Sequence, residues 1–166
     1  MKHLKTFLLS IMLFIGATSY TYAQTKVAHI DTEALIKAMP ETKIAEAEIQ
    51  KLGKTYEATI QGSLKELDTK LKQYNAEAES QTQEENQKRM EEVEGMKQSL
   101  SQYQQQAQKD LQQKEFDLLK PITEKAKAAI DKVAKEQGFL YVFDAKTLIV
   151  AEGKDLMTDV KKELGI

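Results

Sequence analysis

His29 and Asp31 stand two positions apart, and an imidazole beside a carboxylate is the smallest pairing that could move a proton or begin a metal site. His29 is the only histidine after residue 23, and the chain contains no cysteine. A zinc-type site needs three or four nitrogen, sulfur or carboxylate ligands, so one histidine does not complete a set. No serine or threonine has a histidine partner at a motif spacing, which leaves nucleophilic catalysis without support. The sequence therefore gives no catalytic residue, no metal ligand and no cofactor site. His29 is expected to be a strand residue facing solvent or a neighbour.

The informative spacing is of another kind. Ile49, Leu52, Tyr56, Ile60, Leu64, Leu67, Leu71, Tyr74 and Ala78 recur at steps of 3, 4, 4, 4, 3, 4, 3 and 4. The mean step of about 3.6 is one face of an α-helix. Ile44 and Ala45 extend this stripe backwards. A second stripe runs through Met90, Val93, Met96, Leu100, Tyr103, Ala107, Leu111, Leu118, Ile122, Ala126, Ala129 and Val133. Phe116, Leu119 and Ile130 widen it near its end. The polar run Ser80–Asn86 separates the two stripes, as the tip of an antiparallel helical hairpin would. The expected arms are Glu41 to Thr82 and Glu85 to Gln137. Their period exceeds 3.5 and predicts a nearly straight or weakly right-handed pair. Gly53, Gly62 and Gly95 fall inside the arms, and Pro121 should kink the returning helix.

Short β-type segments bracket the hairpin. Lys26–Ile30 reads as a strand, Asp31 or Thr32 as an N-cap, and Glu33–Ala38 as a short helix ended by Met39-Pro40. Gly138 is a natural helix terminator. Phe139–Phe143 and Leu148–Ala151, joined by the turn Asp144–Thr147, read as a β-hairpin. Glu152-Gly153-Lys154 turns the chain. Asp155 then opens a final helix with Leu156, Met157, Val160 and Leu164 on one face. The fold class is α+β, mainly α: a long helical-hairpin arm (41–137) on a small β body (24–40 and 138–166).

Residues 1–23 read as a secretory signal peptide. Lys2 and Lys5 precede the apolar run Phe7–Ala17, and Thr21 and Ala23 suit a cut before Gln24. A run of eleven residues is too short to span a bilayer as a helix. Removing this segment takes two lysines and no acid, so 22 basic side chains remain against 26 acidic, a net charge of −4. That balance argues against a nucleic-acid binder, which needs a basic stripe.

A two-helix arm buries one seam and has no third layer, and two or three short strands are marginal alone. So thin a shape does not readily offset its ordering entropy by burial. Strand edges in the β body would be covered by pairing between subunits, which predicts an obligate homo-oligomer.

The whole mature chain resembles the Skp (OmpH) family of periplasmic chaperones. The resemblance is carried by KVAHIDTEALIKAMPE, by the long hairpin, and by the closing GFLYVFDAKTLIVAEGKDLMTDVKKELG. It implies a homotrimer with a central β body and three projecting arms. It also implies an ATP-independent periplasmic holdase for unfolded outer-membrane proteins, with no enzymatic activity. The best-known members are strongly basic, whereas this tip region reads Glu84-Glu85, Lys88-Arg89, Glu91-Glu92 and Glu94. No lipopolysaccharide or membrane-surface site is therefore carried over. The client-contact candidates are Met90, Val93, Met96 and Tyr103, near the tip or away from the seam, where flexible methionine suits promiscuous binding. The rival reading is a structural or adaptor coiled coil whose tip docks on another envelope component.

Overall fold

The computed structural model describes residues 26–166. The segment read as a signal peptide, and its cut before Gln24, lie outside the described residues. The chain begins with strand β1 (Val27–Ile30) and helix α1 (Thr32–Ala38). The Asp31 carboxylate accepts from the Ala34 N–H at 2.8 Å and supplies the cap that α1 needs. Met39 is extended (φ −70°, ψ 132°), as the residue before a proline must be, and Pro40 begins α2 (Pro40–Glu77).

Helix α2 has 38 residues and α3 (Gln83–Glu136) has 54. At 1.5 Å per residue these are rods of about 57 Å and about 81 Å. The reversal between them is tighter than Ser80–Asn86. A 3₁₀ turn spans Ala78–Ser80, Gln81 and Thr82 are extended, and α3 is already helical at Gln83. Thr82 is the reason: its hydroxyl accepts from the Glu85 N–H at 3.2 Å, so a residue read as part of a polar gap is an N-cap. Pro121 lies inside α3 and does not end it.

Gly138 (φ 72°) closes α3. Its N–H reaches the Lys135 carbonyl at 3.1 Å, and the Phe139 N–H reaches that of Ala134 at 2.8 Å. The next residues form β2 (Tyr141–Asp144), and β3 is only Lys154–Asp155. The sheet order is β2-β1-β3, with both neighbours parallel to β1. The expected hairpin between Phe139–Phe143 and Leu148–Ala151 is thus replaced. Helix α3 returns the chain to the start of β1, where the Leu140 N–H bonds the Lys26 carbonyl at 3.0 Å. From there β2 runs alongside β1, with Val27 opposite Tyr141 and Ile30 opposite Asp144. After β2, Asp144 folds the chain into a 3₁₀ turn (Ala145–Thr147) by accepting the Lys146 N–H. Leu148–Ala151 therefore passes unpaired to the far side of β1, where Lys154, read as part of a turn, is a strand residue. Helix α4 (Met157–Leu164) ends the chain, preceded by Asp155, which accepts the Met157 N–H at 2.8 Å.

The core sits where the arm meets the body. Ala28 and Ile30 of β1, Leu35 of α1, Met39, Ala45 of α2, Ile122 to Ala134 of α3, and Leu156 and Val160 around α4 form one buried cluster. The small residues Ala45, Ala126 and Ala129 let the helices approach closely, and Val142 packs against the cluster from β2. His29 is also buried, in the middle strand, and does not face solvent. Ile44, expected to extend the seam, is exposed because it sits about 100° around α2 from Ala45, which faces α3.

Leu156 is fully buried, so Leu156→Ala should cost about 3 kcal/mol. Leu64→Ala, at a half-open arm position, should cost under about 1 kcal/mol. Urea denaturation followed by circular dichroism reads the contrast.

Candidate binding surface on the distal arm

Beyond the root core the seam is thin. From residue 46 to residue 121, Val93 and Ala107 are the only buried positions. Leu52, Ile60, Leu67, Leu71, Leu100 and Leu111 stay half-buried, because two cylinders touch along a line and leave both flanks open. What burial does not supply, polar contacts across the seam partly do. Tyr56 donates to Asp110 at 2.7 Å while its ring meets Tyr103 edge-on, centroids 5.7 Å apart. The Asp110 acceptor is the main reason the Tyr56 phenol titrates above its ordinary value.

Nearer the tip, Tyr74 donates to Glu92 at 2.5 Å, and Glu92 also takes a short contact from the Lys70 ammonium. The Arg89 guanidinium lies over the Tyr74 ring at 4.6 Å and bonds Glu77 at 2.8 Å. Asn86 donates to the Ala78 carbonyl at 2.9 Å, tying the first turn of α3 to the end of α2. The Lys70 hydrogen bond, then that from Tyr74, holds the Glu92 carboxyl below its ordinary range. Glu77 is lowered too, by Gln73 first and Arg89 second.

The four contact candidates divide between two grooves flanking this seam. Met90, 67% exposed, stands on the rim of a groove of about 420 Å³ formed with Leu71, Tyr74 and Ala78 of the opposing segment. Val93, 7% exposed, belongs to the same groove as a seam residue. Met96 and Tyr103 are half-buried and line a second groove of about 500 Å³ with Thr59, Ser63 and Leu100. Of the four, only Met90 is freely exposed; Val93 and Tyr103 are seam residues, not residues away from it. Sequence reasoning missed the contributions of Leu71 and Tyr74, which it assigned wholly to the seam. The stripe marked them as apolar, but only the opposing helix shows that one edge of each stays open.

His29 and Asp31 do not form a site. Residues paired with His29 across the sheet are Phe143 and Asp155, and Asp155 is engaged in capping α4. Among the described residues no three His, Cys, Asp or Glu side chains are grouped to hold a metal ion. Among them, too, no helix is long and apolar enough to cross a membrane.

A lowered carboxylate stabilises the fold above its unfolded pKa and loses that contribution as pH falls through the lower, folded value. The Glu92 clasp should therefore hold at pH 7 and release in acid. Spin labels at Lys72 and Lys88 should report a broader distance distribution for Glu92→Gln than for wild type at neutral pH. The two proteins should converge as the pH falls below the lowered, folded value of Glu92.

Comparison with known proteins places the whole architecture. The family model for outer membrane protein (OmpH-like) matches residues 26–164. The crystal structure of a proposed outer membrane chaperone, OmpH-like, from Caulobacter crescentus CB15 superposes with a TM-score of 0.75 at 16% identity, covering 87% of each chain. That likeness is one of fold. No curated protein sequence matches this chain.

Proposed function

The chain belongs to the OmpH-like outer membrane protein family, and on that premise we propose that it is an ATP-independent holdase of the periplasm. It would bind unfolded outer-membrane proteins and keep them from aggregating before insertion. A chaperone role follows from the family. The holding mechanism rests on one observation: an arm tens of ångströms long that buries only Val93 and Ala107 beyond its root. Such a seam presents half-open apolar side chains in shallow grooves over a great length. Loose contacts of this kind suit a client with no fixed shape, and holding by surface contact consumes no nucleotide. Met90, Val93, Met96 and Tyr103 are the proposed contact residues, with Met90 the most accessible.

The holdase would act as a homotrimer. One face of the sheet covers the core; the other carries Val27, Tyr141 and Phe143, all exposed, with the last two rings stacked at 6.5 Å. Ile149 is 103% exposed, and Leu140 and Val150 are also open. So many exposed apolar side chains in the body, together with an unpaired β2 edge, are a liability in water. Three copies packed around a common axis would cover it, as the family resemblance implies. Export by the 1–23 segment with cleavage before Gln24 completes the reading.

Native mass spectrometry of the chain from Gln24, mixed on dilution with a urea-unfolded outer-membrane barrel, tests both halves. The expected species is a trimer carrying one client. A trimer that ignores the client supports the structural coiled-coil reading instead. Phe143→Asp, which puts a charge into the apolar face, should shift the mass to monomer.

A further inference from the structure

The mature chain carries a net charge of −4, and its position is informative. Residues 66–97 contain nine acidic and five basic side chains, a balance of −4. The remaining mature residues hold 17 of each sign, so the whole excess lies in the end of the arm. The groove of Leu71, Tyr74, Ala78, Met90 and Val93 lies within that segment, and the one carboxylate on its lining is Glu94. Of the groove's two cations, Arg89 pairs with Glu77 through Nη2 and with Glu85 through Nε while its buried Nη1 has no partner, and Lys97 pairs with Glu94 at 3.7 Å. Glu79 and Glu91 have no cation within ion-pair distance among the described residues.

We infer that this tip groove receives an apolar side chain flanked by Lys or Arg in an extended, unfolded protein segment, and that it discriminates against acidic segments. The inference deepens the holdase reading and rests on it for the identity of the occupant. A groove of about 420 Å³ has room for one or two large side chains and not for a folded domain. Its apolar floor takes the side chain, while Glu79 and Glu91, next in sequence to Ala78 and Met90, and the net negative charge of the arm end attract flanking cations. The same charge repels an anionic lipid surface. Arm tips would thus sort the segments of a client by charge, gripping basic-apolar stretches and leaving acidic ones free.

The test uses the full mature protein and three short fluorescent peptides: a leucine flanked by lysines, the same leucine flanked by glutamates, and the lysine peptide with serine for leucine. Fluorescence anisotropy at low salt should show the lysine–leucine peptide binding about tenfold more tightly than either control, with the preference shrinking as salt rises. The double variant Glu79→Gln/Glu91→Gln should weaken it about fivefold. Met90→Gln should weaken it as well and leave circular dichroism unchanged. Equal binding of the lysine and glutamate peptides overturns the inference, as does binding to phosphatidylglycerol vesicles in preference to the peptides. Suppression of aggregation of an unfolded barrel is measured alongside. A protein that suppresses aggregation without discriminating the peptides keeps the holdase reading and loses this one. A protein that discriminates without suppressing does the reverse.

Discussion

The buried cluster at the arm's root is the contact on which everything else depends. Helix α3 enters it at Ile122, directly after Pro121, and leaves it at Ala134. Those residues share one buried cluster with residues of β1, α1 and α2, while Leu156 and Val160 close it from the far end of the chain. Ion pairs surround it, Lys125 to Glu41 and Lys132 to Glu163, but these are exposed and contribute little. The free energy is in the apolar burial, and it is spent at one end of the molecule. Past Ile49 the two arm helices have each other and nothing more. This asymmetry makes the distal arm the part of low local stability, which is where a binding surface that must adapt is expected.

Thin burial also explains the polar contacts across the seam. Tyr56–Asp110 and Tyr74–Glu92 each place a phenol from α2 against a carboxylate from α3. A leucine at either tyrosine position would serve the apolar stripe equally well but would carry no hydroxyl to fix the register. The tyrosine hydroxyls set which turn of one helix lies beside which turn of the other. They do so without a continuous apolar seam that would close the flanking grooves.

How much of this is legible in the sequence depends on how far apart the interacting residues lie. The stripe from Ile49 to Tyr74, the N-cap at Asp31 (one of its two candidates), the Met39-Pro40 break and the Gly138 stop are local and hold; Ala78, read as the end of the stripe, is exposed in the 3₁₀ turn. The body is different. Whether Phe139–Phe143 pairs with its sequence neighbour or with β1 is decided by contacts such as Thr32 to Asp144, 112 positions apart. Period-two patterning reports that a segment is extended and says nothing of its partner. A hairpin was the local solution; α3 imposed the parallel one by bringing its end back to Lys26. The same limit applies to the contact candidates. Met90 and Val93 are three apart on one helix and read alike, yet one is on the rim and the other is against α2. Only the position of the opposing helix separates them.

Charge adds what packing leaves unspecified. The apolar parts of the two distal grooves are built from interchangeable side chains, and nothing in a leucine–methionine surface chooses one unfolded chain over another. The balance of −4 confined to residues 66–97 does choose, because Coulomb terms act over several ångströms and need no fixed geometry. A neutral root and body with an acidic arm end also gives copies of this chain a reason to associate at one end and keep apart at the other. Like-charged tips repel and apolar β faces attract, so the proposed assembly, joined at the bodies, would hold its arms separated around an open space. The geometry of such a cage would then be set by two opposing interactions located at opposite ends of one helical hairpin.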